Sequence, residues 1–494
     1  LQIEENNIIL LNILGVVYLK KKFFSEAEPI FKKIFNQNPK DKNAIKNLGE
    51  TYRKINKFTN AIKYYELYLS INPNDNEVIN NLASCYLKNK RYEQAVNYYK
   101  DLIKKNPNDQ EYLTNLGLAL IESLNFKEGM QILEQILDKN INNQRALSGY
   151  LFNQNYNPQI NYDKINNYIK KFNDKSKKDN LNIVNFCYKK KPEKINVGFI
   201  SPDFRSHPVG YAITNVIEHL KSYNFKLFGY YNFSLVDELT NKFKEDFDYF
   251  QNIADLNDEQ VINKIRSDGI HILIDLAGYT FHNRLSIFFS NPAPIQISMI
   301  GYLPTTGIQE IKFKIGDPYV YPENTEKNFS EKILRLPNIW SDFVVKQNID
   351  LAQSSLDENN DEIIFGCFVT LRKINDNVIK LWSKVLKKFS NTKICFKAPE
   401  LNNVLIEKDL KKKFLNYGIK SGQLIIEKSS DYKTYLESYS KVHISLDPFP
   451  WNGVTTSFES IWMGVPVFCL KGGDLPYSRC TYSINKNLKM DEWI

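Results

Sequence analysis

The sequence predicts an α-solenoid followed by two doubly wound α/β domains in tandem. Three observations carry this. A motif repeats every 34 residues through the first third of the chain. Short apolar, β-rich runs alternate with helical stretches from residue 195. That alternation restarts after an acidic, polar stretch at 354–362, "SSLDENNDE".

The repeat is read first. Leu14-Gly15, Leu48-Gly49, Leu82-Ala83 and Leu116-Gly117 stand in one register, and Tyr18, Tyr52 and Tyr86 follow the first three small residues by the same step. Ala27, Ala61, Ala95 and Gly129 hold a second register, and Pro39, Pro73 and Pro107 a third. This is the tetratricopeptide pattern, one helix pair per unit. Small residues let two helices approach, and Phe24, Phe58, Tyr92 and Phe126 are expected to fill the gap between them. Each Pro closes the second helix, where its missing N–H does least harm. A solenoid over 1–145 follows, with a concave face suited to protein or peptide segments. An Asn/Lys-rich helical connector is expected over 146–192.

The next strands are "INVGFIS" (195–201), "KLFGYYNF" (226–233), "HILIDLAG" (271–278) and "PIQISMIG" (294–301). They define a first α/β lobe over 193–345. The second lobe, 346–494, carries "IIFGCF" (363–368), "TKICFKA" (392–398), "LIIEK" (424–428), "VHISLDPF" (442–449) and "VPVFCLK" (465–471). Open parallel sheets of this kind bind ligands at their strand C-terminal ends. No G-x-G-x-x-G follows the first strand, and neither a P-loop nor a G-x-S-x-G elbow occurs.

Composition narrows the function classes. The 494 residues hold 43% hydrophobic and 24% charged positions, as in a globular protein large enough for several cores. The net charge of +9 is spread without a basic block, which argues against a nucleic-acid partner. Six cysteines stand singly with no C-x-x-C pair, pointing to core thiols in a reducing, cytoplasmic setting. No apolar run is long enough to span a membrane.

Four stretches hold candidate chemistry. In "DPFPWNGVTTSFESIWMGVP" (447–466), Gly453 permits a tight turn and Thr455-Thr456 open a helix. Two readings stand side by side: free N–H groups and the helix dipole make an anion site, or Thr456-x-x-Glu459 forms a capping box. Lys373, in "FVTLRKIN" (368–375), sits at the mouth of a helix, where the dipole disfavours a cation unless an anion joins it; the alternative is a solvated lysine. His207, in "SPDFRSHPVGYAI" (201–213), lies in the loop after the first strand, as a site residue or an idle loop histidine. Asp246-Phe247-Asp248 matches a D-x-D metal signature but falls in the helical stretch "TNKFKEDFDYF", so no metal is expected.

Together, "SPDFRSHPVGY", "GYTFHNR", "NPAPIQISMIGYLPTTG", "FVTLRKI" and "DPFPWNGVTTSFESIWMGVPV" resemble the family 41 glycosyltransferases, the O-GlcNAc transferase and SPINDLY group. The resemblance covers nearly the whole chain. It implies a two-lobed GT-B fold, an inverting reaction without metal or cofactor, and a nucleotide-sugar donor held mainly by the second lobe. By the same resemblance Lys373 contacts the donor diphosphate, and Thr455 and Thr456, after Gly453, cradle the phosphates. Glu459 meets the ribose, His207 lines the sugar and acceptor pocket, and Tyr435 stacks on the base. The implied activity is transfer of N-acetylglucosamine from UDP-GlcNAc to Ser or Thr of proteins, with acceptors delivered by the repeats. The alternatives are fucosyl or glucosyl transfer on the same fold, and a repeat scaffold with inactive lobes. Val454 stands where O-GlcNAc transferases usually carry His and SPINDLY-type enzymes Thr. The second lobe is expected to be truncated, because the closing helices that the family returns to its first lobe are not found before Ile494.

Overall fold

The computed structural model describes residues 7–179, 192–345 and 361–494. Most of the acidic stretch at 354–362, the end of the connector and Cys187 lie outside the described residues. The chain divides into two compact units, Leu1–Lys139 and Asn140–Ile494.

The first unit is four antiparallel helix pairs: α1 and α2 (Ile8–Lys20, Phe24–Gln37), α3 and α4 (Lys42–Lys54, Phe58–Ile71), α5 and α6 (Asn76–Lys88, Tyr92–Lys105), α7 and α8 (Gln110–Glu122, Phe126–Lys139). The 34-residue register extends to the caps. Asn7, Asp41, Asp75 and Asp109 each accept backbone N–H groups at the start of a first helix. Lys22, Asn56, Lys90 and Leu124 take left-handed φ in the turn between partners. The second helices end at Gln37, Ile71 and Lys105, two residues before each Pro. The gap-filling rings differ from the expectation. Phe24, Phe58, Tyr92 and Phe126 open the second helices, whereas the rings beside the small residues are Phe31 and Tyr65. A Cβ on Gly15 would lie 2.7 Å from Phe31, and one on Gly49 2.6 Å from Tyr65.

The second unit begins with α9 (Gln144–Gln154) and α10 (Tyr162–Asp179). These helices pack on the α/β region: Asn283 Nδ2 donates to Ser148 Oγ at 2.9 Å, and Phe172 meets Phe289 at 5.8 Å. The first lobe comprises β1 (Ile195–Ser201), α11 (Pro208–Leu220), β2 (Phe225–Tyr231), α12 (Glu238–Asp246), β3 (Tyr249–Asn252), α13 (Asp258–Ser267), β4 (Ile272–Asp275), β5 (Ile295–Ser298), β6 (Phe313–Gly316) and β7 (Lys332–Arg335). Its parallel sheet has the order β3-β2-β1-β4-β5-β6-β7. The helical reading of "TNKFKEDFDYF" is corrected at its end. There α12 stops at Asp246, and Tyr249–Asn252 pairs with Phe228–Tyr231, because Phe247 turns inward and Asp248 accepts the Leu227 N–H at 2.7 Å.

The second lobe comprises β8 (Ile363–Cys367), α14 (Asp376–Lys388), β9 (Thr392–Lys397), α15 (Val404–Asn416), β10 (Leu424–Glu427), α16 (Tyr432–Glu437), β11 (Ile444–Leu446), α17 (Thr455–Trp462), β12 (Val467–Phe468) and α18 (Cys480–Asn487). Its parallel sheet runs β10-β9-β8-β11-β12. In each lobe the order reverses beside the first strand, between β1 and β4 and between β8 and β11, which places a ligand crevice at those strand ends. Residues after β12 meet the first lobe: Arg479 Nε donates to Tyr319 O at 2.6 Å, and Ser483 Oγ to Asp317 at 2.5 Å. Cys85, Cys367, Cys395, Cys469 and Cys480 are buried free thiols. No helix among the described residues is long and apolar enough to cross a membrane.

Candidate functional site

Two loops at the second lobe's switch point face each other. One is the tight turn Leu371–Lys373 between β8 and α14; the other is the 447–454 turn between β11 and α17. Asn375 joins them. Its Oδ1 caps α14 by accepting from Asn377 and Val378, and its Nδ2 donates to Phe449 O at 2.6 Å.

Lys373 is corrected from a solvated lysine to a half-buried one. Its Nζ donates to Asn452 O at 2.5 Å and stands 5.4 Å from the Trp451 ring centroid. Burial holds the ammonium down to about 8, with Asp447 opposing the shift. Asp447, at the end of β11, is 6% exposed. Its Oδ1 accepts the Gly453 N–H at 2.6 Å and so closes the turn. Burial pushes this carboxyl up to about 7, and the Lys373 charge pulls the other way. Asp447, Asn452 and Trp451 were missed in the sequence. Their only signal is that they stand beside a glycine turn at a strand C-terminal end.

The turn needs glycine for room. A Cβ on Gly453 would fall 2.2 Å from Ser457 Oγ and 2.9 Å from Thr456 Oγ1. α17 then starts at Thr455 with Val454 as its N-cap and no side-chain cap bond. The capping-box reading of Thr456 and Glu459 is therefore corrected: Glu459, 3% exposed, accepts from the Tyr435 hydroxyl at 3.0 Å instead. Among the described residues, the Thr455 and Thr456 N–H groups have no acceptor. Uncapped N–H groups at a helix N-terminus, beside the turn that holds the half-buried Lys373, form a receptor for an anion.

Tyr435 joins the back of this cluster. Its hydroxyl lies 3.1 Å from that of Tyr439, which donates to Thr456 O at 3.2 Å. Burial holds the Tyr435 hydroxyl well above its ordinary range, so it remains a donor to Glu459. The structure thus brings Lys373, Gly453, Thr455, Thr456, Glu459 and Tyr435 together. His207 stands in the first lobe after β1, as N-cap of α11: Nδ1 accepts the Val209 N–H at 3.3 Å and lies 3.5 Å from Asp203. Gly210 lets the 203–205 loop close on that helix, since a Cβ there would meet Arg205 O at 2.2 Å.

Asp246 is held by Lys221 at 2.8 Å and Lys242 at 3.2 Å, and Asp248 by the backbone. No group of three or more His, Cys, Asp or Glu able to hold a metal occurs among the described residues. Two cavities of about 560 and 530 Å³ share Tyr162, Asp474 and Leu475; the first reaches Phe449 and Pro450, and neither is lined by Lys373, Thr455 or Glu459.

Known proteins align with this arrangement. The model of glycosyl transferase family 41 matches residues 176–346 and 341–494, and that of anaphase-promoting complex, cyclosome, subunit 3 matches 54–136, inside the helical array. A probable UDP-N-acetylglucosamine--peptide N-acetylglucosaminyltransferase SPINDLY from Solanum lycopersicum is 28% identical over 292 residues, 57% of this chain and 31% of that protein. The SPINDLY protein of Eustoma exaltatum subsp. russellianum is 30% identical over 292 residues, again 57% and 31%. The probable transferase SEC of Arabidopsis thaliana is 27% identical over 293 residues, 56% and 29%. The chain thus spans about a third of the length of these relatives. Among solved structures, a Lys-to-Met variant of the Thermobaculum terrenum O-GlcNAc transferase superposes with a TM-score of 0.84 at 24% identity, covering 92% of this chain and 86% of the other. That likeness shows the GT-B fold.

Proposed function

This chain belongs to glycosyl transferase family 41, and on that premise we propose that it transfers N-acetylglucosamine from UDP-GlcNAc to Ser or Thr hydroxyls of proteins, with inversion and without metal. The observation that carries the reading is the pairing of a half-buried lysine, Lys373, with the uncapped N-terminus of α17 across the Gly453 turn. When the sugar–phosphate bond breaks, negative charge grows on the leaving diphosphate. Preorganised N–H groups and a cation stabilise that charge more than the ground state. Here the Thr455 and Thr456 N–H groups and Lys373 take that role.

Glu459, oriented by Tyr435, accepts from the ribose, and Tyr435 offers ring surface to the base. His207 lines the sugar and acceptor pocket from the first lobe. The repeat array, 1–145, presents protein acceptors; 146–192 is the connector, 193–345 and 346–494 the two lobes. The buried, unpaired thiols support a reducing, cytoplasmic setting.

Calorimetry tests the reading. UDP-GlcNAc is expected to bind more tightly than UDP-glucose or GDP-fucose, with chelator leaving the affinity unchanged. Preference for GDP-fucose would move the chain to the fucosyl alternative, and binding of none of the three would leave the scaffold reading.

A further inference from the structure

Three buried rings meet beside the candidate donor site. Trp451 is sandwiched between Tyr156 (centroids 4.1 Å apart, planes at 23°) and Tyr477 (4.0 Å, 26°). Phe152, from the last turn of α9, meets Trp451 edge-on at 5.2 Å. Tyr156, Trp451 and Tyr477 are 7%, 6% and 5% exposed, so the stack is closed to water. Tyr156 comes from the loop after α9, more than two hundred residues before the donor loops.

The same ring reaches the other loop. The Arg372 guanidinium lies 5.2 Å from the Tyr156 centroid, and Arg372 directly precedes Lys373. Trp451 in turn directly precedes Asn452, whose carbonyl receives the Lys373 ammonium. Tyr156 therefore touches both loops that build the anion receptor, by stacking on one and by a cation–π contact on the other. Tyr477 anchors the far side of the stack, and its backbone carbonyl takes the Asn452 N–H at 3.0 Å.

We infer that Tyr156 is a positioning residue of the donor site, clamping the Lys373 turn to the Gly453 turn. The segment before the two sheets is then part of the donor-binding machinery. The identity of the ligand rests on the function proposed above; the clamp itself does not.

Hydrogen exchange on the unliganded full chain reads the clamp directly. Tyr156→Leu keeps an apolar side chain but removes the flat ring, and Tyr156→Phe keeps the ring. With Leu, the Asn452 and Gly453 amides should exchange at least about tenfold faster while β9 amides stay unchanged, and Phe should remain within about twofold of the parent. Unchanged exchange at 452 and 453, or Phe as fast as Leu, overturns the inference. If the Leu variant does not fold, the wild-type protein decides. In dilute denaturant the Tyr156 and Gly453 amides should open as one unit with a common slope, and separate openings overturn the clamp. Calorimetry reads the consequence: UDP-GlcNAc affinity should fall about tenfold with Leu and recover with Phe, and full affinity with Leu overturns the positioning role. Absence of binding to the wild-type protein would overturn the donor reading, with the exchange data still deciding the clamp.

Discussion

Replacing Lys373 by Met keeps the apolar stem and removes the ammonium held on the Asn452 carbonyl beside the Gly453 turn. Two unit charges about 4 Å apart at an effective dielectric of about 20 interact by about 4 kcal/mol. Only the charge that grows between ground and transition state counts toward kcat, and half to one unit gives about 2–4 kcal/mol. That corresponds to a loss of roughly 30- to 1000-fold. The ammonium is already anchored at 2.5 Å on Asn452 O, so little reorganisation offsets this. Arg should rescue only in part, because its planar fork replaces a point charge fitted to one carbonyl.

Stability should move the other way. A surface lysine would leave folding unchanged on removal, but Lys373 is held down to about 8 by burial. A depressed lysine costs stability below its folded pKa, and the cost fades as pH rises toward the ordinary lysine value. Removing it relieves that cost, so at pH 6 the Met variant should melt no lower than the parent. Asp447 works in the opposite sense. Its folded value is raised to about 7, so stability falls as pH rises from the ordinary carboxylate value to about 7, then levels off. Without the ammonium that fall continues above 7, and the variant's advantage should shrink by pH 8.5. The assay is steady-state transfer to a peptide, with melting scans at both pH values. A near-parental kcat in the Met variant would refute the phosphate role of Lys373 and most of the site with it.

Gly453→Ala forces its Cβ against Ser457 Oγ at 2.2 Å, so donor affinity by calorimetry should fall by at least about tenfold while the fold persists. His207→Asn restores an N-cap on α11 that His207→Ala lacks, so Ala alone should cost about 1 kcal/mol in denaturant melts. If both variants lose transfer alike, His207 acts on substrate; transfer preserved in Asn would reduce it to a cap. Donor affinity should weaken by up to about tenfold per pH unit above 8 as Lys373 loses its proton, a dependence the Met variant should lack. Deleting Leu1–Lys139 should spare transfer to a short peptide and reduce transfer to whole proteins; equal loss on both would make the array a structural brace.

The repeat array was legible because each unit contacts only its neighbours, so every packing rule recurs at a fixed spacing, down to the Asp41, Asp75 and Asp109 caps. The longer apolar strands were legible for a similar reason: a strand buried on both faces reads as a continuous run, as "INVGFIS" does. β3, β6 and β7 were not. They are no shorter than β4 and β5, but each mixes polar and apolar residues toward the margins of the sheet, so no continuous apolar run marks them. At the site, the glycine turn, the helix start at Thr455 and the placing of Lys373 before α14 are local patterns, and the chain carries them openly. Their chemistry is not local. Lys373 meets Asn452 across 79 positions and Glu459 meets Tyr435 across 24, while Tyr156 reaches Trp451 from outside both sheets. A side chain's charge state and hydrogen-bond partner depend on what the fold brings within a few ångströms. Tertiary structure alone therefore turned a surface lysine into a half-buried one and a helix-capping Glu into the partner of a tyrosine.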